Sequence, residues 1–233
     1  MEEILKRGLA AQGLPADPAM LAAFQGFYAR LEEANRVMNL TAISGEADTA
    51  RLHFLDCTAV LTAADLRDKT VIDVGTGAGF PGVPLLIACP EMTEMTLLDS
   101  LGKRVDFLRE TCAALGLARA KPLCARAEEL PELRERFDAA VSRAVARLRV
   151  LCELALPFVR PGGAFIAMKG PRPEEEIAEA AHAIETLGGA LERVMRYTIP
   201  DTETTHSLVV IRKQRATPAR YPRRFAQIKK TPL

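Results

Sequence analysis

Several things are missing from this chain of 233 residues, and each absence removes a class of function. No apolar run approaches the roughly 20 residues that a membrane span needs, so no membrane partner is expected. The opening Met1-Glu-Glu-Ile4 does not read as a signal peptide. The cysteines (Cys57, Cys89, Cys112, Cys124 and Cys152) are odd in number and widely scattered. They make neither a disulfide framework nor a metal-ligand pattern, so no metal is expected and a reducing, cytoplasmic setting is. Internal repeats and low-complexity tracts are lacking too. So is the Asn-Pro-Pro-Tyr type of amide clamp that methylation of an exocyclic amine would call for.

What is present has a clear centre. The apolar Thr70-Val-Ile72 runs into Asp73-Val-Gly-Thr-Gly-Ala-Gly-Phe-Pro-Gly-Val-Pro84. A strand, a glycine turn with an acid at its tip and a following helix build a nucleotide-sized crevice at the carboxyl edge of an α/β sheet. Gly75, Gly77 and Gly79 let the backbone approach a ligand where a Cβ would clash, and Pro81 suits the first turn of the next helix. Two frames compete. Gly75-x-Gly77-x-Gly79 led by Asp73 is the loop of methyl-donor enzymes, whose ligand carries an ammonium that the acid suits. Gly77-x-Gly79-x-x-Gly82 satisfies the dinucleotide pattern, which exists to seat a pyrophosphate on a helix N-terminus.

Later segments weigh on that choice. Met95-Thr-Leu-Leu98 reads as a second strand ending at Asp99-Ser100, with the acid set to take ribose hydroxyls under either frame. Residues 120–124 form a candidate third strand. The loop after it, through Ala127 and Glu128, can hold an adenine edge or simply open a helix. Phe137 to Ser142 is a fourth strand leading into Arg143, and Arg160-Pro-Gly-Gly163 is a turn. Ala164 to Met168 is a fifth strand ending at Lys169-Gly170. Residues 193–199 and 207–211 make a closing antiparallel pair, which favours the methyl donor. The expected fold is α/β and Rossmann-like, a mostly parallel seven-stranded sheet with helices on both faces and an N-terminal helical extension.

Residues 1–66 read as that extension, 67–212 as the core and 213–233 as a basic tail on or near it. Met20, Leu21, Phe24, Phe27, Tyr28 and Leu31 share one helical stripe after a cap at Asp17 with Pro18 at N1, and these count as packing. A further helix spans about 46–64. From Ser207 onward there are eight basic residues and no acid, with Tyr221 and Phe225 interleaved. Such a strip is either a solvated tail or a phosphate-binding surface. Arg126, Arg143, Arg147 and Lys169 add positive charge near strand ends.

Taken together, the motifs resemble the bacterial small-subunit ribosomal RNA methyltransferase G family, also called glucose-inhibited division protein B. They are Asn35-x-x-x-Asn39-Leu-Thr-Ala-Ile43, His53-x-x-Asp56, the 73–82 loop, Leu97-Leu-Asp-Ser-Leu101 with Lys103-Arg104, Ser142-Arg-Ala144, Met168-Lys-Gly170, Tyr221-Pro-Arg223 and Lys229-Lys-Thr-Pro-Leu233. Cys57, Val145 and the lack of tryptophan depart from the family pattern. The resemblance implies transfer of a methyl group from S-adenosyl-L-methionine to N7 of one guanine in small-subunit ribosomal RNA; the expected partner is that RNA, free or within the subunit or an assembly intermediate, and the expected state a monomer. It implies a donor site at Gly75, Phe80, Ala127, Glu128 and Arg143, to which the loop argument adds Asp73, Gly77, Gly79, Asp99 and Ser100. Arg143 and Lys169 would position substrate, and Arg126, Arg147, Arg223, Arg224, Lys229 and Lys230 would meet RNA. His53 and Asp56 recur on the family's substrate side but are equally an i, i+3 polar pair on a helix. The competing functions are an NAD(P)-dependent oxidoreductase and a non-catalytic RNA-binding or assembly protein.

Overall fold

The computed structural model describes residues 1–233. Short apolar runs alternating with helical segments call for a parallel sheet covered on both faces, and that is what forms. Its strands are β1 (Thr70–Val74), β2 (Glu94–Asp99), β3 (Ala120–Cys124), β4 (Phe137–Arg143), β5 (Val159–Lys169), β6 (Gly189–Thr198) and β7 (Thr205–Lys213). They lie in the order β3-β2-β1-β4-β5-β7-β6, and β7 alone runs against its neighbours. Pro122 is tolerated because β3 is an edge strand. The expected turn at 160–163 is a bulge inside β5: Val159 pairs with Phe137, and pairing resumes at Ala164 with Ala139.

The reversal of β7 has a functional consequence. It brings the first residues of β7 to the edge where β1, β2, β4 and β5 end, with Ser207 beside Lys169 and His206 beside Tyr197.

Alternate residues of each strand face opposite layers. Val71, Leu97 and Val141 join the core beneath α1 (Glu2–Ala11), α2 (Pro18–Met38), α6 (Gly82–Ala88) and α7 (Gly102–Ala114). Ile72, Leu98 and Ala140 join the core beneath α8 (Leu148–Ala155), α9 (Glu174–Thr186) and α10 (Phe225–Lys230). The N-terminal extension packs into the main core, since Leu5, Phe24, Phe27 and Phe54 belong to the same core as the sheet. The stripe on α2 packs as expected, and Asp17 caps that helix by accepting from Met20 N at 2.8 Å.

The helix expected over 46–64 is a broken run of α3 (Glu46–Asp48), a π-helical turn Thr49–Leu55, α4 (Asp56–Thr58) and α5 (Val60–Ala63). Such π-turns are frequent at functional sites, and this one carries His53. Pro81 stands one residue earlier than expected, at the cap of α6, which begins at Gly82. The tail folds back: Tyr221 and Ile228 are buried in the second core, and Lys213 is wholly buried, donating to Leu156 O and Thr217 Oγ1.

Candidate active site

The glycine loop decides between the two frames through its N–H groups. Gly75 and Thr76 N–H donate to Leu98 O, Gly79 and Phe80 N–H to Thr76 O, Gly77 N–H to Asp99 Oδ2, and Gly82 N–H to Asp73 Oδ2. A pyrophosphate is seated by free N–H groups at this point, and here they are engaged within the fold. The oxidoreductase frame loses its anion seat. Gly77 has φ +60°, and a Cβ there would meet nothing within 4 Å, so its α-carbon fronts open space.

That space is a crevice of about 520 Å³ bounded by Thr41, Gly77, Phe80, Asp99, Ser100 and Arg143. Asp99 is fixed at its rim by Gly77 N, by Leu101 N at 2.9 Å and by Arg104 at 3.4 Å. Beside it lies a narrower slot of about 150 Å³ between Val74, Leu98, Ala127, Glu128, Leu154 and Phe225. Apolar walls and a nearby acid fit an adenosine. Beneath the loop, Asp73 Oδ1 and Thr76 Oγ1 are buried. The Thr76 hydroxyl lies against the Asp73 carboxyl, which is buried beneath the glycines and does not line the crevice. Burial pushes the Asp73 carboxyl up to about 7.

A second cavity of about 730 Å³ opens on the other side of His53 and Arg143, which border both spaces. Arg143 is the hub. Its Nη1 donates to Asp56 Oδ2 at 3.0 Å and to Leu52 O at 3.2 Å, and its Nη2 donates to His53 Nδ1 at 2.7 Å. Its guanidinium sits 4.9 Å from the centre of the Phe80 ring, on which His53 is also stacked at 4.2 Å. Asp56 is buried and receives three further contacts on Oδ1 and its carbonyl: His206 Nδ1 at 2.7 Å, and Tyr197 OH at 2.7 Å to Oδ1 and 3.4 Å to O.

Electrostatics follow from that wiring. Burial alone would raise the Asp56 carboxyl, but His206, Arg143 and Tyr197 outweigh it and hold the group below its ordinary range. The hydrogen bond to Asp56 raises the His206 imidazole. Burial, helped by the Arg143 charge, drives His53 down to about 3, so it stays neutral. The loop before α3 is tied in as well. Asn35 spans Thr41 with its side-chain amide, donating to Thr41 O at 3.0 Å and accepting from Thr41 N at 2.9 Å. Thr41 Oγ1 meets His53 Nε2 at 2.7 Å.

The expected site residues are thus partly gathered. Gly75, Gly77, Phe80, Asp99, Ser100 and Arg143 surround the crevice; Arg126, Ala127 and Glu128 line the slot; Arg147 and Lys169 line the second cavity. Gly79 packs inward, where a Cβ would lie 2.7 Å from Val83. In the tail, Arg224, Lys229 and Lys230 are exposed, whereas Arg223 holds the buried Glu153 through Nε at 2.8 Å and Nη2 at 2.6 Å. Arg223 is a structural tie, with Nε and Nη2 engaged on Glu153. Phe225 is a wall of the slot. Sequence reasoning missed His206, Thr204 and Glu176, which line the cavity, and Tyr197, which holds Asp56 at its wall. The expected reversal of the last strand was the one signal that could have pointed to His206.

Comparison with known proteins bears on the family and the fold. A family model described as rRNA small subunit methyltransferase G matches residues 20–205. A protein of Pelotomaculum thermopropionicum named ribosomal RNA small subunit methyltransferase G is 44% identical over 237 residues, covering 100% of this chain and 99% of its own. One of the same name from Clostridium botulinum is 47% identical over 207 residues, covering 87% and 86%. Among solved structures, a SAM-dependent methyltransferase from Aquifex aeolicus superposes with a TM-score of 0.53 at 20% identity, covering 79% of this chain and 97% of that one. At that identity the likeness concerns the fold.

Proposed function

The chain belongs to the rRNA small subunit methyltransferase G family, and from that premise we propose that it moves a methyl group from S-adenosylmethionine to N7 of one guanine in small-subunit ribosomal RNA. The observation that carries this reading is the wall His53–Arg143, which stands between a cavity roomy enough for a base and the donor crevice with its adjoining slot suited to an adenine.

When bound, the donor supplies an electrophilic methyl on a sulfonium. The chain's own residues do the rest. The slot at Ala127 and Glu128 takes the adenine, Asp99 accepts from the ribose hydroxyls, and residues 75–78, with Asp73 buried beneath them, lie at the amino-acid end. Guanine N7 has an exposed lone pair, so no general base is needed. Rate then comes from alignment, which the Arg143 hub enforces by fixing His53, Phe80 and Asp56 against one another. Lys169 and Arg143 supply positive charge toward O6 and nearby phosphates.

An RNA duplex hides N7 in a deep, narrow groove, so the target guanine is unpaired or opened. Arg224, Lys229, Lys230, Arg126 and Arg147 form the phosphate-facing set. The enzyme acts as a monomer in the cytoplasm, on small-subunit ribosomal RNA that is free or held within the subunit or an assembly intermediate. No helix is long and apolar enough to cross a membrane.

The test is incubation with methyl-labelled S-adenosylmethionine and small ribosomal subunits, or their protein-free RNA, from cells lacking this gene. Label at one guanine, released by chemistry that cleaves at N7-methylguanine, supports the reading. Donor binding without label on either substrate would overturn it in favour of a non-catalytic RNA-binding role.

A further inference from the structure

Two acids line the larger cavity, and they differ in what remains free. Asp56 is occupied on both oxygens by Arg143, His206 and Tyr197. Glu176, in the first turn of α9, takes Leu148 N at 2.8 Å and Lys169 Nζ at 2.7 Å, both on Oε2. Its Oε1 has no hydrogen-bond partner in the chain and belongs to a side chain that borders the cavity. Lys169 Nζ also donates to Ala146 O at 2.8 Å, which leaves one of its three N–H groups. A free donor and a free acceptor therefore stand next to each other, held by their mutual ion pair.

Guanine presents the matching order, an O6 acceptor beside an N1–H donor. Adenine presents the reverse, an amino donor beside an N1 acceptor. Resting on the reading above, we propose that this pair reads the target base: Lys169 Nζ donates to O6, and Glu176 Oε1 accepts from N1–H and the adjoining 2-amino group.

The same contact acts on the reaction. As the N7 lone pair forms the new C–N bond, the C–S bonding pair stays on sulfur and the base becomes a cation. Its N1–H grows more acidic, so a carboxylate accepting that proton's hydrogen bond is held more tightly in the transition state than in the ground state. Glu176 is suited to this because, although burial would raise its carboxyl, the bonds from Lys169 and Leu148 N outweigh burial and keep it ionised.

The experiment uses reconstituted small subunits whose RNA carries guanine, inosine or adenine at the methylated position. Inosine keeps O6 and N1–H but lacks the 2-amino group. Wild-type enzyme is expected to prefer guanine over inosine by about 3- to 10-fold, and charge-assisted bonding makes Glu176→Gln lower kcat/KM on guanine by about 10- to 100-fold. In Glu176→Gln and Glu176→Ala the guanine-over-inosine ratio should fall to within about twofold of one. Donor affinity should not move, and thermal melting of the same samples should show both variants folded, with Glu176→Ala lowered because it frees Lys169 Nζ and Leu148 N. Equal losses on guanine and inosine would mean that Glu176 only positions Lys169 and would overturn the proposal, as would an unchanged rate on guanine. If wild-type enzyme leaves the guanine subunits unlabelled, the N7-methylation reading itself fails, and this inference with it.

Discussion

Arg143 Nη2 donates to His53 Nδ1 across 2.7 Å, which fixes the histidine tautomer. The ring proton must then sit on Nε2 and point to Thr41 Oγ1. One guanidinium thereby orders the Thr41 loop on the donor side and Asp56 on the base side. Lysine has no planar fork to serve three partners at once. Arg143→Lys is expected to lower kcat/KM by about 100-fold, the scale of a small misalignment, while thermal melting shows a folded protein. Unchanged turnover in a labelled-methyl assay would remove Arg143 from the alignment role.

Two glycines of the loop should behave differently. At Gly77 the backbone is left-handed but the space around it is open, so Gly77→Ala costs about 1–2 kcal/mol of stability and sets a methyl where donor would lie. At Gly82 a Cβ would fall 2.2 Å from Leu97 and 2.8 Å from Asp73 Oδ2. Gly82→Ala should lose stability beyond Gly77→Ala, and Gly77→Ala should lose donor affinity beyond its stability. Calorimetric titration alongside denaturant unfolding separates the two.

Donor binding should depend on the ionisation of Asp73. Its carboxyl, pushed up to about 7 by burial, is protonated below that pH and charged above it. If it holds the donor's ammonium, affinity strengthens as pH rises through about 7 and weakens as pH falls. Asp73→Asn should reduce affinity about 10- to 100-fold at pH 8 and flatten the pH curve. A wild-type affinity that is level from pH 6 to 8 would exclude that contact.

Stability should show opposite signs from two histidines. His206 is raised in the fold, so its stabilisation is complete below about 6.5 and is lost as pH rises through its folded value. His53 is lowered to about 3, so it opposes unfolding above about 6.5 and loses that effect as pH falls toward 3. The Tm gap between wild type and His206→Asn should therefore shrink from pH 6 to pH 9. A gap that widened would contradict the Asp56 pairing.

The tail's arginines and lysines should divide into two groups. Removing Arg223 strands the fully buried Glu153, and breaking such a pair costs about 3–5 kcal/mol. Lys229→Ala, at an exposed site, should leave Tm within about 1–2 °C and weaken RNA binding with a reduced salt slope. Denaturant unfolding and salt-dependent binding to subunit RNA check both.

Much of the molecule was legible before any coordinates. Local chemistry dictated the loop after β1, the cap at Asp17 and the strand-like apolar runs, because each depends on a few neighbouring residues. The sequence also carried the choice of site, since strand ends in a parallel sheet converge on one edge and Asp99, Arg143 and Lys169 close three of them. Charge counting was a poorer guide. Arg223 and Lys213 look like any other basic residues in a tail, yet Glu153, Leu156 O and Thr217 claim them.

What the chain determined alone was therefore the set of local conformations and the edge at which chemistry gathers, both consequences of short-range sterics and side-chain periodicity. Tertiary structure decided which groups stay free. The partners of Arg143 come from residues 52–56, those of Asp56 from β4, β6 and β7, and the unpaired oxygen of Glu176 from a bond that Lys169 makes across the sheet edge. Hydrogen-bond capacity is a small fixed number per group, and only the folded chain fixes where each donor and acceptor is used.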